Sequence, residues 1–174
     1  MNLQFQNLID PTLPDAARVW VYQSNRIFSL SEALELENEI DTFTREWTSH
    51  GDQLKAAAHL FFGQFLVLIA DETNASVSGC STDKSVHFIQ SIERKYGVQL
   101  MDRTTLAFVI KDTIQLLPMS QLPYAVENGF IGPATLYFNN LVTTVGQLKS
   151  EWIIASGHSW LAKRNSLLTI NEKA

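Results

Sequence analysis

Apolar residues recur along this chain in helical and strand-like patterns that predict a mixed fold. The longest helical pattern runs from Ser29 to Trp47, with apolar residues three and four apart, and Ser29 with Glu32 has the spacing of a capping box. A second helix is predicted around residues 86–96, with Gly97 placed to end it. Runs rich in β-branched, aromatic and other apolar residues predict strands, which cover residues 19–22, 54–62, 64–70 and 104–110.

These elements follow the order strand, helix, strand, strand, helix, strand, which is typical of a split β-α-β fold. We therefore expect an α+β protein with a ferredoxin-like (βαββαβ) antiparallel sheet as its core over residues 18–111. In this prediction the first and third strands lie side by side and run parallel in the middle of the sheet, with both helices on one face. Gly63, between the second and third strands, fits either a hairpin turn or a bend in one longer strand.

The residues outside this core are predicted to be extensions of a single domain, because no flexible linker divides the chain. Pro11 and Pro14 mark residues 1–17 as an irregular N-terminal arm, and residues 112–174 form a C-terminal α/β extension. Within the extension the pattern predicts, in chain order, a short helix or lid over residues 116–126, a strand over 135–142, and a helix over 148–154 that follows the capping-box pair Thr144 and Gln147.

Composition restricts the class of protein more than its activity. The chain has 174 residues, 45% hydrophobic and 18% charged, which is ordinary for a folded protein with one sizeable core. Its 13 Lys and Arg against 18 Asp and Glu give a net charge of −5 without a basic cluster, so we expect no nucleic-acid partner. We expect neither a secretory signal nor membrane insertion, and the single cysteine, Cys80, fits a soluble cytoplasmic protein.

The densest group of chemically versatile residues is the segment 78–87, at the start of the second predicted helix. It matches a P-loop in its last two positions, Lys84 and Ser85. Asp83 stands where that motif needs its second glycine, and Ser78 where it needs its first. Because a carboxylate would repel the phosphates, we do not expect a P-loop ATPase.

A different kind of site follows from the predicted sheet. If the first and third strands run parallel, the turns after them lie at the same sheet edge, and Asn25, Arg26 and Lys84 converge on one phosphate-like anion. The competing interpretation is plain capping of the helix by hydroxyl side chains of this turn, with Lys84 solvated. The expected ligand-binding residues are Asn25, Arg26, Ser78, Gly79, Ser81, Asp83, Lys84, Ser85 and His87.

Cys80 is the weaker candidate, and the one candidate for catalysis, because a thiol at a helix N-terminus can have a lowered pKa. His87 is about 10 Å further along the helix axis at 1.5 Å per residue, too far for a direct dyad, and is better placed to pair with Asp83. The competing interpretation is a buried free cysteine. We expect no metal or cofactor, since the available ligand types lack diagnostic spacing; they are His50, Asp52 and His59.

Four sequence words, YQSNR, EWTSHG, SGCSTDKSVHFI and YFNNLV, occur in this order between residues 19 and 160. Together they resemble a group of small bacterial proteins of uncharacterised function that are often labelled "ABC transporter ATPase" although they lack a P-loop. The resemblance names relatives and implies no particular fold, substrate or chemistry.

The function that we expect is a binding or interaction module without catalysis. A phosphate- or nucleotide-binding protein that uses residues 78–84 is the alternative, and a cysteine-dependent enzyme at Cys80 is the third hypothesis. The expected partners are a second copy of the chain and a small anionic ligand. A homodimer through an open sheet face or edge would cover the aromatic residues of the extension, among them Trp152 and Trp160.

Overall fold

The computed structural model describes residues 1–49, 52–71 and 79–169, except for the side chains of residues 49, 52, 53 and 79–81. The chain divides into two compact units. The N-terminal unit comprises residues 2–102 and 142–149, and the C-terminal unit comprises Met1, residues 103–141 and the chain from residue 150 onward.

The N-terminal unit combines short and long strands with two long helices. Its elements are, in chain order, β1 (Arg18–Gln23), α1 (Leu30–Glu46), β2 (Thr48–Ser49), β3 (Asp52–Gln53), β4 (Lys55–Phe61), β5 (Phe65–Asp71) and α2 (Gly79–Tyr96).

The C-terminal unit is built from shorter elements. They are β6 (Thr105–Ile110), β7 (Thr113–Pro118), α3 (Leu122–Glu127), β8 (Leu136–Phe138), β9 (Ile153–Ala155) and α5 (Trp160–Arg164). Helix α4 (Val145–Glu151) precedes β9 in the chain and belongs to the N-terminal unit up to Lys149. None of the described helices is both long enough and apolar enough to cross a membrane.

The main sheet of the N-terminal unit has the order β1-β5-β4, and both of its strand pairs are antiparallel. All seven residues of the central strand β5 are buried, because the strand is paired on both edges and covered by the core. The β4–β5 connection is a hairpin turn with positive φ at Phe62 (55°) and Gly63 (64°). The turn interpretation of Gly63 is therefore the correct one, and a glycine suits this left-handed position.

The two long helices form as their sequence patterns predict. The capping box of α1 is present, with the Ser29 hydroxyl accepting from the Glu32 N–H and the Glu32 carboxylate accepting from the Ser29 N–H. Helix α2 ends at Tyr96, and Gly97 follows with a φ of 62°. Both helices contribute to one core with the sheet, in which the fully buried residues include Leu36, Trp47, Leu66, Leu68, Ile89 and Ile92.

The parallel pairing that we expected between the first and third strands is wrong, because β1 and β5 are antiparallel. The tight turn makes β4 and β5 antiparallel, and the crossover through α1 lets β1 and β4 run in the same direction with β5 between them. Strand β5 is antiparallel to β4 because a hairpin joins them. Since β1 runs in the same direction as β4, β5 is antiparallel to β1 as well.

The ferredoxin-like topology is not confirmed, although the α+β class with antiparallel sheets is. The fourth predicted strand is β6, and it pairs with β7 and β8 in the sheet of the C-terminal unit. The outer edge of β1, where a fourth strand was expected, is bonded instead by residues 143–145: the Val19 N–H donates to the Thr143 carbonyl (2.8 Å) and the Val145 N–H to the Ala17 carbonyl (2.9 Å).

The N-terminal arm has little regular structure beyond one 3-10 turn at Gln6–Leu8. It nevertheless contributes to the core of its unit through apolar residues spaced four apart. These buried residues are Phe5, Ile9, Leu13 and Ala17.

The C-terminal unit has an antiparallel sheet of order β7-β6-β8-β9. Three of its predicted elements differ in the structure. The helix or lid predicted over residues 116–126 begins only after residues 116–118, which end strand β7, and the strand predicted over 135–142 is only Leu136–Phe138. The helix predicted over 148–154 stops at Glu151, because Ile153–Ala155 pairs with β8.

The aromatic residues of the extension lie mainly in the core of this unit. Trp152 is fully buried, and its indole N–H donates to the Asn140 side-chain oxygen at 3.0 Å. Trp160 is half-buried and donates to the Tyr137 hydroxyl at 3.2 Å. Their burial within one chain removes the argument that a homodimer is needed to cover them.

Candidate functional site

The two residues expected from the loop after β1 lie at the C-terminal end of α2. The Arg26 guanidinium makes two bonds to the Glu32 carboxylate, at 2.8 and 2.9 Å, and donates to the Tyr96 carbonyl at 2.6 Å. The Asn25 side-chain oxygen accepts from the Gln99 N–H at 2.9 Å. These contacts tie the loop to the end of the helix, which gives both side chains a structural role.

The ion pair changes the protonation equilibria of both partners. The bond from Arg26, followed by the bond from the Ser29 N–H, lowers the pKa of Glu32 to about 2. The same bond to Glu32 raises the pKa of Arg26 above its ordinary value. Both groups therefore stay charged near neutral pH, and the guanidinium is already occupied by a carboxylate.

The residues expected from the second turn lie in and around the first turns of α2. Lys84 is exposed, and its ammonium donates to the Thr48 hydroxyl at 2.7 Å. Ser85 is buried and donates to the Thr82 carbonyl at 2.7 Å. Asp83 and His87 are exposed, and neither forms an ion pair within the described part of the chain.

The remaining residues of this stretch are described only in part. Helix α2 begins at Gly79, so Cys80 and Ser81 belong to its first turn rather than preceding the helix. The side chains of these three residues, and the whole of Ser78, lie outside the described residues. The hypothesis of a reactive thiol at Cys80 therefore stays a prediction.

The structure does not bring these two groups of residues together. Arg26 contacts Tyr96, whereas Lys84 lies about 18 Å earlier along the axis of the same helix at 1.5 Å per residue. In the sheet, Gln23 at the end of β1 pairs with Phe65 at the start of β5, so the chain leaves the two strands at opposite ends. The expected composite site at one sheet edge is therefore wrong.

A pocket that the sequence analysis did not anticipate lies in the C-terminal unit, with a volume of about 440 Å³. The floor is one face of the β6–β7 hairpin, on which Phe108 pairs with Gln115 and Ile110 with Thr113. Because side chains alternate along a strand, these pairs and Leu117 share one face of the sheet. The floor is apolar except for the two β7 side chains of Thr113 and Gln115.

Helix α3 and the segment after it form the wall of this pocket. A Schellman motif ends the helix: Gly129 has a φ of 73° and donates to the Val126 carbonyl at 3.1 Å, while the Phe130 N–H donates to the Ala125 carbonyl at 2.9 Å. The motif turns the chain back, so that Phe130 follows the helix end and lines the pocket with Tyr124. The sequence Asn128-Gly129 was the signal that could have predicted this helix end.

The two aromatic residues of the wall are mostly exposed to solvent. Tyr124 is 65% exposed and Phe130 is 62% exposed, and their ring centroids lie 6.4 Å apart. Their apolar faces are available to another molecule, since the core of the unit is completed by other residues, among them Leu122, Ala125, Val126 and Ile131.

Lys111 is the one charged residue among the described residues that line the pocket. It forms the β6–β7 turn with Asp112, and both residues have positive φ, 50° and 58°. The Lys111 side chain is exposed and makes no hydrogen bond or ion pair within the described part of the chain. The described part of the lining contains no Asp, Glu, His or Cys, so it offers an apolar surface and one cation and lacks a carboxylate or imidazole to act as acid or base.

His59 on β4, in the N-terminal unit, lines a cavity of about 350 Å³ with Asp41 and Leu8. The His59 Nε2 atom is buried and has no hydrogen-bond partner. Burial lowers the pKa of His59, against the weaker raising effect of Asp41. Within the described residues no group of three or more His, Cys, Asp or Glu is arranged to hold a metal ion.

Comparison with known proteins adds a distant similarity. Two curated proteins, both named methionine import ATP-binding protein MetN 1, from Staphylococcus aureus strains MSSA476 and MW2, are each 24% identical to this chain over 127 residues. The match covers 70% of this chain and 37% of each relative, so the chain spans little more than a third of their length. Of the expected resemblance to small proteins labelled "ABC transporter ATPase", the comparison shows only this weak similarity to two proteins named as ATP-binding.

No family model matches the chain. No solved structure matches it either.

Proposed function

We propose that this protein is a binding module without catalysis and that its ligand site is the pocket of the C-terminal unit. The observation that carries the proposal is the exposure of two neighbouring aromatic side chains, Tyr124 and Phe130, at an apolar cavity of about 440 Å³. Exposed apolar patches of this kind are typical of interaction sites, and the volume falls within the range of small-molecule pockets.

The composition of the lining supports binding rather than catalysis. General acid–base catalysis needs titratable groups within hydrogen-bond reach of the substrate, and nucleophilic catalysis needs a nucleophile beside a base. The described lining offers Thr113, Tyr124 and Lys111 as its polar candidates, together with the amides of Gln115 and Gln121. These groups suit orientation of a ligand more than bond cleavage.

Fluorescence titration with Nile red, an uncharged apolar dye, tests the proposal on the full chain. Binding to the wild type is expected at one site. Phe130→Ser is expected to weaken this binding by at least tenfold, about the effect of losing a phenyl ring that the bound dye would cover. The matched control is Leu141→Ser, because Leu141 belongs to the same unit and is 64% exposed but does not line the pocket. Equal loss in both variants, or no loss in either, would contradict the proposal.

A phosphate or nucleotide ligand at residues 78–84 is the second candidate function. It is favoured by the similarity to two proteins whose names describe them as ATP-binding. Thermal shift with ATP, GTP or phosphate and magnesium would then show stabilisation that Lys84→Ala abolishes. Thr48→Val is the control, because it removes the bond to Lys84 and keeps the ammonium; no shift at millimolar ligand would end this hypothesis.

The cysteine enzyme at Cys80 is the third candidate. An activated thiol would be alkylated with a pH midpoint below that of free cysteine, near 8.5. A midpoint at or above that value would remove the case for it.

We further propose that the protein is cytoplasmic and that two copies pair through an open sheet edge, such as that of β7, rather than through the aromatic residues of the extension. Light scattering would then give about twice the chain mass of 19.6 kDa. A mass equal to one chain at micromolar concentration would contradict the dimer.

A further inference from the structure

We infer that the ligand of the C-terminal pocket is an amphipathic monoanion, an apolar chain or ring that carries one carboxylate-type head group. The inference rests on the proposed function, because it names the chemical class of molecule that the same pocket would take. It is argued from the shape and polarity of the lining and from the position of its single cation.

The apolar residues of the floor and the wall favour an apolar body for the ligand. Phe108, Ile110 and Leu117 on the sheet face, with Tyr124 and Phe130 opposite, present hydrocarbon on two sides of the cavity. Removing apolar surface from water is favourable in proportion to the area buried, so the favourable contacts of this lining are with an apolar molecule. A strongly polar body would lose water without gaining hydrogen bonds from these residues.

The positive charge of Lys111 favours a negatively charged head group. Its ammonium is the one charge in the described lining and has no partner there, so a bound anion would not have to displace a carboxylate. The left-handed turn fixes the Lys111 backbone at the end of the hairpin that forms the floor. An anionic group at that end would leave the apolar body over Ile110 and the aromatic wall.

The same arrangement disfavours other classes of ligand. A cationic amphiphile would meet an ammonium and no carboxylate among the described lining residues. A nucleoside polyphosphate would bring several negative charges to one lysine. Because Lys111 is exposed, its contribution is expected to be selective rather than large, about a two- to fivefold difference in affinity for an exposed pair.

The test is isothermal titration calorimetry of the full chain with octanoate, octanol and octylammonium, which share one alkyl chain and differ in head-group charge. The wild type is expected to bind octanoate about two- to fivefold more tightly than octanol, and octylammonium most weakly. Lys111→Asn should make octanoate and octanol equal, and asparagine is chosen because it tolerates positive φ. Lys163→Gln, an exposed lysine of α5 in the same unit, should leave the preference unchanged.

The outcomes separate the two proposals. If octanol binds as tightly as octanoate to the wild type, or if the octanoate preference survives in Lys111→Asn, the anionic class is wrong while binding in the pocket still stands. If none of the three compounds binds, the anionic class is wrong. If Phe130→Ser also leaves Nile red binding unchanged, the proposed function itself fails. If the preference for octanoate is kept in Lys163→Gln and lost in Lys111→Asn, both the pocket as the ligand site and the anionic ligand class are supported.

Discussion

The two units of this protein differ in how they use the surfaces around their sheets. In the N-terminal unit β5 is buried along its whole length, and the polar side chains around the ends of α1 and α2 are largely paired with one another, as Arg26 is with Glu32. In the C-terminal unit β7 is an edge strand, and two aromatic rings beside it stay open to solvent. Asn25 and Arg26, which the sequence pattern favoured as ligand residues, serve the structure of the N-terminal unit, while an inconspicuous apolar segment of the C-terminal unit forms the better candidate site.

The largest expected effect comes from creating a cavity in the closed core. Leu68 on β5 is fully buried, so Leu68→Ala should cost about 2–5 kcal/mol of the free energy of unfolding, measured by urea denaturation. Phe130→Ala removes a larger side chain that is mostly exposed, and it should cost less than about 1 kcal/mol. A similar cost for both substitutions would mean that Phe130 is a core residue and would remove the contrast between the units.

A smaller effect is expected from the helix end that positions the aromatic wall. Gly129→Ala places a side chain at a φ of 73°, which should cost about 1–2 kcal/mol in urea denaturation and weaken Nile red binding by shifting Phe130. Gly132→Ala is the matched control, because an added methyl group would meet nothing within 4 Å at either position and only Gly129 has positive φ. Unchanged stability and binding in Gly129→Ala would show that the Schellman motif does not support the pocket.

Acid should act on the N-terminal unit through His59. Burial lowers the pKa of His59 below its ordinary value of 6.5, so between these two values the unfolded chain binds more protons than the folded one. The stability contribution is thus present above pH 6.5 and is lost as the pH falls toward the folded pKa. In urea denaturation at several pH values, His59→Leu should reduce this loss; an unchanged pH dependence would show that His59 is not responsible.

The smallest effect is expected at lower pH from the ion pair at the end of α2. The pKa of Glu32 is lowered from 4.5 to about 2, so its contribution is complete above pH 4.5 and is lost as the pH falls toward 2. Glu32→Gln should flatten this part of the pH profile of stability.

Because the described pocket lining has no Asp, Glu or His, Nile red binding should stay constant between pH 5 and 8, and a marked change would argue against this site.

Local patterns predicted the fold where one segment decides its own structure. The capping box at Ser29, the stop at Gly97 and the turn at Gly63 are determined by neighbouring residues, and all three formed. Strand pairing depends on distant residues, and so β6 was assigned to the wrong sheet. Strand β9 is three residues long and β7 contains Gln115 and Pro118, so neither has a strong strand pattern.

The candidate site was not predictable in the same way. Its lining comes from β6, β7, α3 and the chain after it, and each contributes residues that look ordinary in sequence. The sequence pattern favours residues 78–87 as the site because Cys, Asp, Lys, Ser and His are crowded there, although polar residues are also common at helix starts. Exposure of Tyr124 and Phe130 is a property of the folded unit and has no counterpart in the sequence pattern.

The most direct test of the central claim is a two-dimensional ¹H–¹⁵N NMR titration of the full chain with octanol, an uncharged probe. If the C-terminal pocket is the ligand site, the amide shifts concentrate in residues 108–117 and 121–131, around Phe108, Tyr124 and Phe130. Shifts concentrated in residues 79–87 at the start of α2, or spread evenly over both units, would contradict it.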